Sequence, residues 1–238
     1  MHVDKKIGRN FVRVTVENVL IICHGLPYES GSVVEKGYST LAKFFASRSL
    51  PSVIFDFSGT GLSEGVFSLM AWVEDIINVS QHFERVSLLG YSMGGAVAVK
   101  AATEIENLEK LVLAASPCCV DMFGENVLRM IYENARMKNL LRGIGGYEEF
   151  KESFIHEFIE IEPRKWIDRI EVPKLIVHGR EDYIVPFENA LTLFELAKEP
   201  KTFIELKKGN HFLRQDLAVS ELIANWLLGK IKDRKLII

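Results

Sequence analysis

Short, nearly continuous apolar runs rich in β-branched residues recur along the chain, separated by longer segments of helical character. The runs fall at residues 19–23, 52–57, 86–89, 110–115, 174–177 and 202–206. Runs of this length and composition suit strands of a parallel sheet buried on both faces. The intervening segments 33–49, 69–82, 93–106, 186–198 and 214–230 predict helices. Strand, helix and strand repeated in this way imply a parallel sheet with right-handed crossovers. The first residues, through Phe11-Val12-Arg13-Val14-Thr15-Val16, alternate apolar and polar positions and read as an edge strand. The pattern predicts an α/β fold with a mostly parallel sheet of about six to seven strands flanked by helices.

One interval breaks the rhythm. Residues 118–173 separate two predicted strands by far more chain than a crossover needs. Helix-like stretches at 125–141 and 147–161 lie within it. The expected organisation is a single domain, 1–238, with 118–173 as an inserted helical cap over the end of the sheet.

Composition narrows the function classes. A chain of 238 residues suffices for one sizeable core. The net charge of −3 recruits neither nucleic acid nor an anionic membrane. Residues 1–10 are charged and lack the apolar core of a signal peptide, and no run is long enough to span a bilayer. Three cysteines are too few and too oddly placed for a disulfide framework, so a cytoplasmic setting is expected. No C-x-x-C occurs, and the stretch from His156 to Glu160 ends in Glu where a zinc protease helix needs its second His. No metal or other cofactor is expected. Ser58-Gly59-Thr60-Gly61 suggests a dinucleotide loop only superficially, because Glu64 stands where that motif needs Gly. It reads instead as a tight turn.

The chemistry concentrates at Gly90-Tyr91-Ser92-Met93-Gly94, which fits G-x-S-x-G between an apolar run and a helix-forming stretch. Strand, sharp turn and helix are the setting in which a serine is presented as a nucleophile. The flanking glycines let neighbouring backbone pass without a Cβ clash, and the helix N-terminus aims free N–H groups at the serine. A serine hydroxyl needs a base to take its proton. His156, His178 and His211 follow Ser92. His211 lies in a Gly/Asn-marked turn after the last predicted strand and is the preferred base. The acid that orients it comes from the loop after residues 174–177, where Glu181 and Asp182 are both available. Asp182 is preferred because its loop leaves the strand edge just before Pro186 starts the next helix.

With these residues in view, the chain resembles the α/β-hydrolase superfamily, in its esterase/lipase and serine aminopeptidase-like branch. The resemblance covers nearly the whole chain. It rests on Cys23-His24-Gly25-Leu26, on Asp56-Phe57-Ser58-Gly59-Thr60-Gly61-Leu62-Ser63, on Gly90 to Gly95, on His178-Gly179-Arg180-Glu181-Asp182 and on Gly209-Asn210-His211-Phe212, in that order. It implies Ser92, Asp182 and His211 as a triad. It also implies the backbone N–H groups of Leu26 and Met93 as the oxyanion hole. The nucleophile is Ser rather than the Asp or Cys of some branches, and the oxyanion turn lacks H-G-G-G. The short N-terminus predicts that one or two early strands of the family's full sheet are missing.

For the cap, the expectations concern substrate. Gly25, Met122, Phe123 and Met130 are candidate substrate contacts, in an insertion also carrying Leu128, Ile131, Met137, Leu140 and Leu141. Arg129, Arg136, Lys138 and Arg142 read either as a solvated face or as a basic rim. A rim would receive an anionic, coenzyme A-like ligand. Cys118 and Cys119 read as apolar filler, and Cys23 as a small core residue. The leading activity is hydrolysis of small-molecule carboxylic esters with small or medium acyl chains, through an acyl-enzyme. Thioester hydrolysis or acyl transfer comes second. Peptidase action, with Glu148, Glu149 or Glu152 binding an amine, comes third. A ligand receptor on the same fold is the non-enzymatic alternative.

Overall fold

The computed structural model describes residues 3–7, 10–14, 19–35 and 37–238. Among the described residues nine strands form one sheet. A hairpin of β1 (Val3–Ile7) and β2 (Asn10–Val14) is antiparallel and joins the sheet beside β4 (Ser52–Phe55). The other strands are β3 (Val19–Cys23), β5 (Val86–Tyr91), β6 (Leu108–Ala114), β7 (Lys174–Gly179), β8 (Lys201–Leu206) and β9 (Lys235–Ile237). The order is β1-β2-β4-β3-β5-β6-β7-β8-β9, and from β4 to β9 every pairing is parallel. The alternating N-terminal segment is therefore internal, with β1 outside it. Thr15 and Val16, the end of the predicted strand, lie outside the described residues. The expectation of missing early strands is corrected by the hairpin. Strand β9 is not among the predicted strands, because its apolar run is only Leu236 to Ile238, and its ladder with β8 makes it a strand.

Among the described residues seven α-helices lie on the sheet's two faces and over its end: α1 (Tyr38–Ala46), α2 (Leu69–Ser80), α3 (Met93–Ala102), α4 (Glu125–Met137), α5 (Tyr147–Ile161), α6 (Glu188–Leu196) and α7 (Leu217–Leu227). Alternate strand residues point to opposite faces. Ile21, Phe55, Leu88, Leu113 and Phe203 enter one core with α2, α3 and α6, and Ile22, Ile54, Leu89, Val112 and Ile204 enter a second with α1 and α7. Several helices are shorter than the sequence pattern suggests. Residues 33–35 are a turn held by Asp56, whose Oδ1 accepts from Val33 N at 2.8 Å, so α1 starts only at Tyr38.

Between β6 and β7 lie α4, α5 and short 3-10 turns. This insertion is fastened to the sheet at identifiable points. The Arg142 guanidinium donates to Gly61 O (2.9 Å) and Thr60 O (3.1 Å), and its backbone N–H donates to Gly59 O. The Glu157 carboxylate on α5 accepts from Leu69 N, Met70 N and Ser68 Oγ, capping α2 from outside. At the root of the insertion Cys118 and Cys119 are joined by a disulfide. This corrects their reading as simple filler. A bond between neighbours closes only a local ring and ties no distant segments together, so it is no framework. Cys23 is fully buried, as a core residue.

Candidate active site

Ser92 sits where β5 gives way to α3, with φ 52° and ψ −126°. A non-glycine residue in this region is strained, and the turn persists because its surroundings leave no room to relax. Its N–H donates to Ala114 O at 2.9 Å, pinning the turn to β6. A Cβ on Gly90 would lie 2.4 Å from Gly95 Cα, and one on Gly94 would lie 2.4 Å from the carbonyl oxygens of Cys23 and His24. The glycines thus allow α3 and the β3 turn to close around the serine.

Two loops at the same edge of the sheet bring the other groups. The Ser92 hydroxyl donates to His211 Nε2 at 3.0 Å, and His211 Nδ1–H donates to Asp182 Oδ2 at 2.9 Å. Asp182 Oδ1 accepts from the backbone N–H of Ile184 (2.9 Å) and Val185 (2.8 Å). Burial acts to raise the Asp182 pKa. Hydrogen bonds from His178, His211 and the Val185 backbone outweigh it and hold the carboxyl well below the usual range. Glu181, the other acidic residue of the loop, is exposed. His156 is exposed on α5, while His178 is buried beside Asp182, with Nε2 3.3 Å from Oδ2.

The turn after β3 approaches from the opposite side. A Cβ on Gly25 would stand 2.9 Å from Ser92 Cβ, so only glycine lets this backbone lie against the serine. The His24 ring holds the turn: Nδ1–H donates to Gly25 O (2.7 Å), Nε2 accepts from Phe57 N (3.2 Å), and Phe57 and Trp72 pack against its faces and edges. Leu26 and Met93 follow on either side of Ser92. Met93 opens α3, where backbone N–H groups lack intrahelical acceptors. Tyr28 ties this turn to two other segments. Its hydroxyl accepts from Arg214 (2.9 Å) and Gln215 (3.2 Å) just after His211, and its carbonyl accepts from Lys138 Nζ (2.9 Å) beyond α4. Nothing in its sequence neighbourhood marks it for this role, because its partners are remote in the chain.

Ser92 and His211 open into a cavity of about 1080 Å³ roofed by α4. Its wall is mainly apolar and includes Leu26, Met122, Phe123, Met130 and Ile131, with Tyr183, Ile184 and Phe212 along the loops that carry Asp182 and His211. Met122, Phe123, Arg129 and Met130, expected as substrate contacts, line the same cavity as Ser92. Gly25 lies against Ser92 rather than in the cavity wall. Leu128 and Leu140 are buried in the core instead.

The basic rim is corrected. Arg129 lines the cavity, but its guanidinium donates to Glu125 Oε1 at 3.0 Å and stacks on Tyr147 at 4.0 Å. Arg136 is exposed and outside the cavity wall. Lys138 and Arg142 lie beyond the end of α4 at Met137, so they share no helical face, and both donate to backbone carbonyls. Lys138 and Arg142 thereby fasten the insertion to the turns after β3 and β4. Glu148, Glu149 and Glu152 are exposed on α5 and likewise outside the cavity wall. Among the described residues no cluster of ligating side chains could hold a metal ion, and no helix is long and apolar enough to cross a membrane.

The model of the family described as serine aminopeptidase, S33, matches residues 15–141, more than half of the chain. The chain belongs to this family. The matched stretch contains Ser92, Leu26 and Met93, whereas Asp182 and His211 lie beyond it and are brought to Ser92 by the sheet. YfhR of Escherichia coli O157:H7 is 27% identical over 183 residues, covering 72% of this chain and 56% of that protein. The human serine hydrolase BPHL is 27% identical over 146 residues, covering 55% of this chain and 50% of that protein. The chain thus spans about half the length of the curated relatives it matches. Among solved structures, a monoacylglycerol lipase from Paleococcus ferrophilus superposes with a TM-score of 0.72 at 19% identity, covering 93% of this chain and 99% of that one. An esterase from Exiguobacterium antarcticum gives 0.65 at 20% identity, covering 94% and 96%. At these identities the likeness establishes the α/β-hydrolase fold shared by the S33 family chain and its neighbours.

Proposed function

We propose that this S33 family chain hydrolyses carboxylic esters of small or medium acyl groups, with Ser92 as nucleophile, His211 as base and Asp182 as the orienting acid. The observation that carries this reading is the unbroken line from Ser92 Oγ through His211 to Asp182 at the floor of an apolar cavity. Ser92 Oγ attacks the ester carbonyl carbon while its proton passes to His211 Nε2. The backbone N–H groups of Leu26 and Met93 receive the developing oxyanion. One such donor is typically worth about 3 kcal/mol. Collapse of the tetrahedral species expels the alcohol, which takes the proton from His211 and leaves Ser92 acylated. A water then gives its proton to His211, attacks the acyl carbonyl and releases the acid. In this reading residues 118–173 are a cap that supplies the acyl-binding wall.

The wall is mainly apolar and Arg129, its cation, is engaged by Glu125, which favours an uncharged ester over a phosphate-bearing thioester. The names of the solved relatives, a lipase and an esterase among them, agree with ester chemistry. A ligand receptor would need no base and acid in line with a serine. A cytoplasmic setting is part of the proposal.

A fluorophosphonate probe tests the reading. Labelling is expected at Ser92 in the parent protein and absent in Ser92→Ala. That variant is expected to keep its fold and lose p-nitrophenyl ester hydrolysis by about a thousandfold or more. An unlabelled parent protein would favour the receptor. Competition by coenzyme A at low salt would move the thioester reading ahead of the ester one.

A further inference from the structure

His178 ends β7, and its side chain is only 1% exposed. Its Nε2 lies 2.9 Å from Val185 O and 3.3 Å from Asp182 Oδ2. Its Nδ1 is buried and has no hydrogen-bond partner among the described residues. This combination sets the tautomer. A proton on Nδ1 would be a buried donor with no acceptor, while Nε2 would face two acceptors without a proton to offer them. The proton therefore sits on Nε2, directed at the Val185 carbonyl at 2.9 Å, with the Asp182 carboxylate the second acceptor within reach at 3.3 Å. Phe187, the residue just before α6, packs edge-to-face on the ring with centroids 6.0 Å apart.

A buried side chain that only filled space would be served by leucine or methionine, without an unsatisfied ring nitrogen. The surroundings show what the other nitrogen holds. Val185 donates its N–H to Asp182 Oδ1 and accepts from His178 on its carbonyl, so loop 182–185 is closed around the carboxylate by the same imidazole. Asp182 Oδ2 then lies between two imidazole N–H groups, His211 on the open side and His178 on the buried side. We infer that His178 is a positioning residue, which holds Asp182 Oδ2 against His211 by donating Nε2–H from behind. The inference deepens the proposed triad and rests on it.

Removing the donor frees Oδ2 to turn from His211 and leaves more of the carboxylate's charge acting on the His211 ring. The second effect stabilises the imidazolium, so the acid limb of kcat/KM should move to higher pH. The other charged groups beside this cluster are Arg180 and Glu205, paired with each other at 2.6 Å, and exposed Glu181. None of these is altered by the test.

The experiment compares His178→Met, which removes the donor, with His178→Gln, whose amide nitrogen reaches the Nε2 position. Fluorophosphonate labelling of Ser92 in the parent is measured alongside. The expected result is a fall in kcat of about tenfold or more in His178→Met, the loss of one hydrogen bond to a charged group. KM should stay within about twofold, the acid limb should move up, and His178→Gln should recover most of the rate. In the parent, long-range proton–nitrogen NMR correlations should show His178 as the Nε2–H tautomer. A labelled parent with His178→Met at parental kcat, or with His178→Gln as slow as His178→Met, overturns the inference and leaves the triad standing. An unlabelled parent removes the triad and the inference together. Should His178→Met fail to fold, the tautomer decides: Nδ1–H overturns the inference and Nε2–H supports it.

Discussion

At Ser92, φ 52° places a side chain where L-residues rarely go, and such a conformation costs on the order of 1–3 kcal/mol. The glycines around it make the turn possible, and Gly94 is the least replaceable of them. Gly94→Ala would push a Cβ to 2.4 Å from two backbone carbonyls of the turn that carries Leu26. Backbone cannot rotate away as a side-chain tip can. Gly94→Ala should therefore lower ester hydrolysis at least tenfold and reduce Tm by several degrees, roughly what a strained core substitution of 1–3 kcal/mol does. Gly124→Ala, with nothing within 4 Å of the new atom, should leave both near parental values. The acid is separable in the same way. Asp182 accepts from both imidazoles and two backbone N–H groups, whereas Glu181 is exposed. Asp182→Asn places an amide where only acceptors fit, and kcat should fall about a thousandfold or more. Glu181→Gln should stay within about twofold. Steady-state kinetics at neutral pH check the ranking. Because the Asp182 pKa is depressed in the folded state, its stabilisation is complete above the ordinary carboxylate range and is lost as pH falls through the folded value.

At the scale of elements, the insertion is held by polar clasps between segments distant in sequence. Ser68 caps α2 through its hydroxyl, which accepts from Ala71 N, and Glu157 on α5 adds a second cap by accepting from Leu69 N and Met70 N. A carboxylate at a helix N-terminus is stabilised by the free N–H groups and by the helix dipole. Glu157→Ala should cost about 1–2 kcal/mol in urea unfolding, the usual range for a lost cap. Glu160→Ala, one turn nearer the end of α5 and exposed, should cost less than about 0.5 kcal/mol. Equal losses would deny Glu157 its capping role. The sequence showed α5 over its full observed span, 147–161, because its apolar positions recur at helical spacing. The clasp was not legible, since Glu157 looked like part of a truncated metal motif and its true partners lie 87–89 residues away.

At the scale of the whole molecule, the sheet leaves an unusual group in its interior. Lys174, at the start of β7, is fully buried and donates Nζ–H to Val172 O at 2.9 Å. Burial pulls its pKa down from 10.5 to about 8. Below about pH 8 the folded protein carries a buried ammonium, while the unfolded chain keeps its proton until about 10.5. Between these values the unfolded state binds more protons, so this group's contribution to stability rises with pH. Lys174→Met removes that dependence. The variant should gain in Tm relative to the parent at pH 7, and the difference should shrink by pH 9.5. A constant difference in thermal melts across that window would show that Lys174 is not titrating there.

Much of this architecture follows from local pattern. Apolar runs buried on both faces, spaced by helical segments, specify a parallel sheet, because strand and helix periodicities are properties of neighbouring residues. The turn at Ser92 is equally local: the glycines, the preceding run and the following helix lie within one short stretch. Other features depend on packing between remote segments. Ser92 and His211 are 119 positions apart and His211 and Asp182 are 29 apart, so sequence order could suggest those partners and prefer Asp182 by its place in the loop, but could not show which of Asp182 and Glu181 turns inward. Burial of one and exposure of the other did that. The cations of the insertion looked like a ligand rim because a sequence shows their charge and not their acceptors. The tertiary structure spends them on Glu125, Tyr28, Thr60 and Gly61. Strand β9 and the pairing of β1 with β2 escaped for the converse reason. Short or polar segments become strands only when a neighbouring edge supplies their hydrogen bonds, and that edge exists only after the sheet has formed.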